Sequence, residues 1–385
     1  MKKHNTLNIA YFISPHGFGH ASRAAAVMNA LARNSVSPLR GNRVSEQVHF
    51  EIFTLVPRWF FQQSVTASFT YHPLLTDIGL AQESSLRENI PQTLKLLRAF
   101  LPFNGKLVSD LAARITKSKC EWVMCDIAPL GIAVAQAANL PSILIENFTW
   151  DWIYEGYAKS DARFNRHITY LQRVFRSADY HLQTEPVCDY WNANLITTPV
   201  SRAPRTSKKE IRAQLGIPPH ARAVLITMGG IPEQHAFLDR LTTVKQVHFI
   251  IPGASASIRH QDNLVLLPHH SKFYHPDLMN ASHAVIGKAG YSTVSEAYHA
   301  GIPFGHVQRE KFREAATMEK FIRTQMYGIE IPAAEFQNGE WLAMLSDLLD
   351  LPRIQHRERN GAEQIAKFIL DRFSDEEYAR VDEYF

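Results

Sequence analysis

Residues 11–31 read YFISPHGFGHASRAAAVMNAL, a glycine turn between an apolar run and an alanine-rich run. The apolar residues 8–14 predict a buried β-strand, and residues 21–32 predict a helix. A strand that leads through a glycine turn into a helix is typical of the first unit of an α/β domain with a parallel sheet. Gly17 and Gly19 permit a tight turn, and the first N–H groups of a helix lack intrahelical partners. We therefore expect this loop to face a ligand cleft.

The same alternation of strands and helices continues along the chain in two series. The first series has further strands at 48–54, 122–126 and 142–147, and helices at 90–115, 130–138 and 163–178. The second series has strands at 223–228, 247–251, 263–267 and 283–287, and the last forty residues read as wholly helical. The two series predict two consecutive doubly wound α/β domains.

Between the series, prolines, serines and charges replace the strand pattern. We place the first domain at residues 1–195, a linker at 196–207, the second domain at 208–360 and C-terminal helices at 361–385. Ligands of open α/β sheets bind at the carboxyl ends of the strands, so a cleft between the two domains is the expected site.

Composition limits the class of protein. The chain has 385 residues, of which 45% are hydrophobic and 20% charged, which is ordinary for a soluble globular protein. We expect no transmembrane segment, because no apolar run is long enough. We expect a cytoplasmic location, because the first apolar run is too short for a signal peptide and three cysteines make no disulfide framework. The net charge of +4 is scattered, which argues against nucleic acid and fits a mildly basic cleft for a phosphorylated small molecule.

Two histidines lie in the loop that opens the first helix. His16 and His20 would face the cleft, where a neutral imidazole can accept a proton near pH 7. Asp126 ends a strand of the same sheet and could orient His20. Two alternatives remain open at this point: the glycines only shape a turn while His20 caps the helix, or Asp126 caps the helix that starts near Pro129.

A second glycine turn follows the strand at 283–287. Ser292 and Thr293 begin the next helix, and Glu296 lies in its early turns. Helix N–H groups, hydroxyls and the helix dipole suit a diphosphate, and the carboxylate suits the hydroxyls of a ribose. The alternative is an ordinary capping pattern with Glu296 as a first-turn acid.

These residues carry a family resemblance. The segment GYSTVSEAYHAGIP at 290–303 resembles the donor-binding signature of GT-B glycosyltransferases, and PHGFGHASR at 15–23 is similar to their glycine-rich acceptor loop. Residues 125–154 and the segment KAGYSTVSE also resemble the N-terminal, glycosyltransferase-like part of L-arabinokinases, and the similarity spans nearly the whole chain. The resemblance implies two Rossmann-like domains facing across a cleft, with C-terminal helices that return to the first domain.

The resemblance also implies roles for individual residues. Glu296 is expected to hold the ribose of a nucleotide sugar, and Glu314 the donor sugar, although Ala315 stands where the family has Gln. The residues expected around the diphosphate are Gly290, Tyr291, Ser292 and Thr293, with Lys288 near the leaving group and a second glycine turn at Gly229 and Gly230. That second turn departs from the family's Gly-Gly-Ser-x-Gly pattern.

The implied reaction is an inverting, metal-independent transfer from a nucleotide sugar, with UDP-sugar expected, to an unknown small-molecule or lipid-linked acceptor. His20 would be the base, with Asp126 behind it, and the loop of His16, Gly17 and Gly19 would hold the acceptor. No cofactor beyond the nucleotide sugar is expected. The alternatives are a GT-B module that binds a sugar nucleotide without catalysis, or a nucleotide-sugar epimerase or hydrolase.

Two further segments receive structural interpretations. The aromatic residues at 147–154 could line an acceptor pocket, but such clusters more often fill a core, and we favour the core. The charged segment 308–320 is interpreted as a solvated helix face.

Overall fold

The computed structural model describes residues 6–35, 47–84, 87–229, 236–307 and 312–382. Two sheets of seven strands lie among these residues, each flanked by helices. The strands are β1 (Thr6–Ile13), β2 (Gln47–Thr54), β3 (Ser68–Pro73), β4 (Gln82–Ser84), β5 (Arg87–Glu88), β6 (Trp122–Asp126), β7 (Ser142–Glu146), β8 (Tyr180–Thr184), β9 (Leu195–Thr197), β10 (Arg222–Thr227), β11 (Val247–Pro252), β12 (Arg259–Gln261), β13 (Leu264–Leu267), β14 (Ala284–Lys288), β15 (Phe304–Val307) and β16 (Gly328–Ile331).

The helices connect successive strands and cover the sheets. They are α1 (Gly19–Ser35), α2 (Arg58–Ser64), α3 (Ile90–Phe100), α4 (Gly105–Lys117), α5 (Pro129–Ala138), α6 (Trp150–Ala158), α7 (Asn165–Arg176), α8 (Lys208–Gln214), α9 (Leu238–Leu241), α10 (His275–Ala281), α11 (Tyr291–Ala300), α12 (Ala315–Gln325), α13 (Ala333–Asn338), α14 (Leu345–Asp350) and α15 (Gly361–Asp382). Short 3₁₀ turns span Ala162–Phe164 and Glu340–Met344.

The first sheet is parallel throughout, in the order β3-β2-β1-β6-β7-β8-β9. Its central strands β6 and β7 are buried along their whole length, as expected of parallel strands covered on both faces. The second sheet has the order β12-β13-β11-β10-β14-β15-β16 and is parallel except for its edge strand β12. The predicted pair of doubly wound sheets is therefore confirmed.

Each sheet reverses its strand order at one point, and ligands of such sheets bind outside the strand ends there. In the first sheet the reversal lies between β1 and β6, where Ile13 pairs with Asp126. In the second sheet it lies between β10 and β14, where Thr227 pairs with Gly287. The two quoted glycine turns follow β1 and β14, so the fold brings both to a reversal point.

We call the part of the molecule built on the first sheet the first half, and the part built on the second sheet the second half. The chain crosses between them twice, once after β9 and once before α15. Helix α15 returns to the first half and packs against α1, where Glu363 accepts hydrogen bonds from Arg33 and Asn34. The side chain of Asn360 joins the two crossings, because its Nδ2 donates to the Ser201 carbonyl at 2.9 Å and its Oδ1 accepts from the Ser201 N–H at 3.3 Å.

Two helix predictions are wrong in detail. The predicted helix 90–115 is two helices, because Pro102 has no N–H to donate and Asn104 starts a new helix by accepting a bond from the Leu107 N–H. The last forty residues are not wholly helical, since 351–360 form the second crossing without a helix. No helix among the described residues has the length and apolar character needed to cross a membrane.

Candidate active site

A cleft lies between the two sheets. The first half contributes an aromatic wall with Phe18, Trp59 and Phe60. The second half contributes the strand-end residues Thr227 and Gly229. The cleft is therefore built from the ends of both sheets, as their strand order predicts.

Helices α1 and α11 begin on opposite sides of this cleft. A Cβ added to Gly19, the first residue of α1, would lie 4.0 Å from the Ser292 Oγ near the start of α11. Ser292 and Thr293 line the cleft. The N-cap of α11 is Gly290, without a side-chain capping bond, so the interpretation of Ser292 or Thr293 as an ordinary cap is wrong. Two helix N-termini thus present N–H groups to one space, which favours an anion.

His20 and Asp126 meet at the reversal point of the first sheet. The His20 Nδ1 lies 3.0 Å from the Asp126 Oδ1, and Asp126 is completely buried. Burial alone would raise the pKa of the Asp126 carboxyl, but the charge and hydrogen bonds of Arg23 outweigh burial and lower that pKa. An ionised carboxylate can only accept, so His20 donates from Nδ1 and its Nε2 is left as a proton acceptor. Asp126 does not cap the next helix, whose N-cap is Ala128.

Arg23 is a site residue that sequence reasoning missed. Its Nε and Nη2 donate to the two oxygens of Asp126 at 2.8 and 2.7 Å. Its Nη1 donates to Asn147 at 2.7 Å and to Thr184 at 3.2 Å. Residues at the ends of β6, β7 and β8 therefore converge on one buried guanidinium. An arginine directly before the apolar run AAAVMNAL of this helix is the signal that could have revealed it, because a buried charge requires a partner.

Glu296 is buried and already has partners. The Arg202 Nε donates to its Oε1 at 3.0 Å, the Arg202 Nη2 lies 2.9 Å from the same oxygen as an ion pair, and the His275 Nδ1 lies 2.8 Å from its Oε2. Burial would raise the pKa of Glu296, but Arg202 and His275 outweigh burial and lower it. Arg202 and His275 line the cleft, and Glu296 lies behind them. Sequence reasoning did not identify either partner, because the pattern at 290–303 does not include them.

Tyr291, Gly229 and Gly230 are also predicted to hold the diphosphate, and of the two that the structure describes only Gly229 lines the cleft. The Tyr291 ring packs against the Arg23 guanidinium, 4.7 Å from ring centre to Cζ, and its hydroxyl accepts from the Val200 N–H at 3.1 Å. Tyr291 thus contacts the first half and not the cleft. Gly229 lines the cleft with a φ of +73°, and a Cβ there would lie 3.4 Å from the Lys288 Cε. Gly230 lies outside the described residues.

His16 packs against residues of the first half. Its Nδ1 accepts from the Leu80 N–H at 3.4 Å, and its ring meets the edge of Trp150 with centroids 5.1 Å apart. Gly79 allows this approach, since a Cβ there would lie 2.8 Å from the His16 Nδ1. Gly17 has a φ of +73°, which explains a glycine at that point of the turn. His20, and not His16, is therefore the loop histidine that pairs with Asp126.

The interpretation of 308–320 as a solvated helix face is wrong for its described residues. Phe312 packs against Phe148, and Arg313 donates to Glu155 at 2.8 Å. The Glu314 Oε1 accepts from the Asn147 Nδ2 at 2.9 Å. These three residues join the second half to the first, and residues 308–311 lie outside the described part of the chain.

Phe148, Trp150 and Tyr154 lie in the core, as favoured, whereas Trp152 is only partly buried. Trp150 and Tyr154 are each 1% exposed and stack on one another.

His269 and His270 contact the aromatic wall of the cleft, His269 stacking on Phe18 and His270 on Trp59. Within the described ranges, no group of three or more His, Cys, Asp or Glu residues is arranged to hold a metal ion.

The sequence matches the model of the family described as glycosyl transferase family 1 over residues 7–348. The chain belongs to glycosyl transferase family 1. Among curated relatives of this family 1 chain, the L-arabinokinase of Arabidopsis thaliana is 25% identical over 369 residues, which cover 94% of this chain and 34% of that protein. An uncharacterized glycosyltransferase of Methanopyrus kandleri is 22% identical over 281 residues, which cover 66% of this chain and 76% of that protein. The chain thus spans about a third of the length of the arabinokinase.

Solved structures share the fold of this family 1 chain. A glycotransferase of kitacinnamycin matches with a TM-score of 0.62 at 12% identity, covering 95% of this chain and 99% of that one. The spinosyn forosaminyltransferase matches with a TM-score of 0.59 at 14% identity, covering 94% and 93%. UGT89C1 of Arabidopsis thaliana, solved in complex with UDP, matches with a TM-score of 0.57 at 15% identity, covering 94% of each chain. The fold is therefore GT-B, and the resemblance found in the sequence is confirmed.

Proposed function

We propose that this protein transfers a sugar from a nucleoside diphosphate sugar to an acceptor hydroxyl, with inversion and without a metal ion. The observation that carries the proposal is the buried pair of Asp126, at the end of β6, and His20, on α1, the helix whose N-terminus faces that of α11 across the cleft. A base on one side of a cleft and an anion site on the other are the two parts that such a displacement needs.

The donor is held in the second half. Its diphosphate lies against the start of α11, where Ser292 and Thr293 add hydroxyls to the helix N–H groups and disperse the charge of the leaving group. Its ribose lies against the Arg202–Glu296–His275 cluster, of which Arg202 and His275 line the cleft and Glu296 holds both in place from behind. We propose a UDP-sugar, by analogy with the UDP-bound fold relative.

The acceptor is held on the side of the first half. His20 takes the proton of the attacking hydroxyl on Nε2, while Asp126 stabilises the imidazolium that forms. The acceptor hydroxyl forms the new bond to the anomeric carbon as the bond to the diphosphate breaks.

We also place the protein in the cytoplasm, since all three cysteines are free thiols.

The first test is a screen for donor binding and consumption. UDP-, dTDP-, GDP- and ADP-sugars are compared by thermal shift and calorimetry, because a ligand that binds only the folded state raises its stability. Glu296→Gln should weaken binding of the preferred nucleotide by about 1 to 3 kcal/mol. Glu340→Gln, at an exposed position, is the matched control.

The second test is turnover. His20→Ala should lower donor consumption about a hundredfold to ten-thousandfold while nucleotide affinity stays unchanged. Normal turnover by this variant would show that the base is elsewhere. Nucleotide binding without any consumption by the wild type would favour a binding module, and release of free sugar into water alone would favour a hydrolase.

A further inference from the structure

A continuous chain of buried hydrogen bonds runs from the candidate base into the second half. Its members lie on α1, at the ends of β6 and β7, and just before α12. They are His20, Asp126, Arg23, Asn147 and Glu314, all less than 9% exposed. The chain crosses the boundary between the halves at one bond, from Asn147 to Glu314.

Asn147 is suited to this crossing because an amide carries a donor and an acceptor. Its Oδ1 accepts from the Arg23 Nη1 at 2.7 Å, and its Nδ2 donates to the Glu314 Oε1 at 2.9 Å. Asn147 is fully buried, so water cannot easily replace either bond. An aspartate here would still accept from Arg23, but it would face Glu314 with a second carboxylate.

Arg23 has its own contact with the second half. Four of its bonds go to the first half, to Asp126, Asn147 and Thr184, while its flat face covers the Tyr291 ring at the start of α11. Rotation of the second half away from the first would remove Tyr291 from Arg23 and Glu314 from Asn147 together. Relative motion is the usual expectation for two domains with a cleft between them.

We propose that Arg23 and Asn147 are positioning residues, which hold the His20–Asp126 pair in its productive geometry only while the second half is closed and Glu314 meets Asn147. The inference rests on the proposed function. It adds that closure of the second half onto the first sets the geometry of the base His20. Proton transfer is thereby restricted to the closed state, in which the donor and acceptor sites face one another.

The test exchanges the two partners across the boundary. Asn147→Asp should lower turnover about tenfold to a hundredfold, the effect of losing one charge-assisted hydrogen bond. The double variant Asn147→Asp with Glu314→Gln restores the bond with donor and acceptor reversed, and it should recover most of the lost rate. Binding of the sugar-free nucleoside diphosphate should change less than about twofold, because Asn147 does not line the cleft.

Asn165→Asp, the same change at an exposed position of the first half, is the control. Wild-type turnover by folded Asn147→Asp would overturn the proposal. So would a double variant that folds and binds nucleotide but stays as slow as Asn147→Asp, since the bond between positions 147 and 314 would then not govern the rate.

A measurement without turnover separates this proposal from the proposed function. Small-angle X-ray scattering of the nucleotide-bound proteins should show Asn147→Asp more extended than the wild type and the double variant compact again. If the wild type consumes no donor, the proposed function fails, and the scattering alone decides the coupling. Identical scattering of the three proteins would overturn it.

Discussion

At the scale of single residues, the Asp126 carboxylate has two roles. It orients His20, and it neutralises Arg23, which is 1% exposed. Removal of one member of a buried ion pair leaves the other charge uncompensated, and this costs far more than loss of an exposed pair. A change at Asp126 therefore affects the fold as well as the reaction.

Asp126→Asn should lower the free energy of unfolding by about 3 to 5 kcal/mol, while His20→Ala should change it much less. Because the pKa of Asp126 is lowered in the fold, its contribution is present above the unfolded pKa of about 3.9 and is lost as the pH falls through the folded pKa. Denaturant titration at pH 7 and pH 3 measures both effects. Equal stability of the two variants at pH 7 would contradict the ion-pair argument.

Asp77 shows the opposite behaviour. It is 2% exposed, its Oδ1 accepts from Ser14 at 3.1 Å, and its Oδ2 has no hydrogen-bond partner. Burial raises the pKa of this carboxyl to about 8. Between the unfolded pKa of about 3.9 and pH 8 the folded state keeps a proton that the unfolded state loses, so stability falls as the pH rises.

Asp77→Asn should remove this slope. Melting temperatures of the wild type should fall more steeply than those of the variant from pH 5 to pH 8. Asp239→Asn, at an exposed site, should follow the wild type. Parallel curves for the wild type and Asp77→Asn would show that Asp77 is ionised in the fold.

The sequence predicted the meeting of His20 and Asp126 because both follow strands of one parallel sheet, whose carboxyl ends share an edge. It did not predict Arg202 as the partner of Glu296. The two lie 94 residues apart, and Arg202 belongs to the linker, whose path depends on how the two halves pack. Local patterns indicate which residues reach a strand end, but not which side chains from other segments meet them there.

At the scale of elements, α5 packs very closely on the first sheet. A Cβ added to Gly131 would lie 2.6 Å from the Cys125 Sγ and 2.7 Å from the Phe12 Cβ. A glycine is therefore required inside this helix, despite its low helix propensity. The close approach sets the distance of α5 from β1, which leads into the helix of the candidate base, and from β6, which ends at its partner Asp126.

Gly131→Ala should destabilise the protein by about 1 to 3 kcal/mol, the usual effect of an added methyl in a filled core. Gly105→Ala is the control, since nothing lies within 4 Å of an added Cβ at the start of α4. It should be neutral or slightly stabilising. Chemical denaturation measures the pair, and equal midpoints would refute the close approach.

The helix predictions failed where side-chain and proline chemistry interrupts a pattern that periodicity treats as continuous. Residues 90–115 keep a helical composition across Pro102, but the proline and the Asn104 cap divide them. The charged segment around Arg313 looks solvated because arginine and glutamate usually are. Its role becomes visible only when Trp152 and Glu155 of the other half are placed beside it.

At the scale of the whole molecule, Arg313 is a surface link between the halves. Its guanidinium lies 4.0 Å from the Trp152 ring centre and donates to Glu155. Both charged side chains are more than a third exposed, so the ion pair itself contributes about 1 kcal/mol or less to stability.

Arg313→Ala should therefore change the free energy of unfolding little but loosen the closed arrangement. Hydrogen exchange in α6 should become faster, because the helix loses its cover from the second half. Arg163→Ala, which removes an exposed ion pair within the first half, should leave exchange in α6 nearly unchanged. Unchanged exchange in Arg313→Ala would show that closure does not depend on this link.

The double crossing that Asn360 and Ser201 join has a further consequence for how the molecule comes apart. Because the backbone passes twice between the two halves, they can rotate about the line through both crossings. They cannot slide apart. A protease that cuts at the exposed residues 203–205 would sever one passage only. The downstream fragment would still be anchored, because Ile365, Ala366 and Ile369 of α15 remain buried on the first half. Nicked protein should therefore elute as one particle until a denaturant releases that helix.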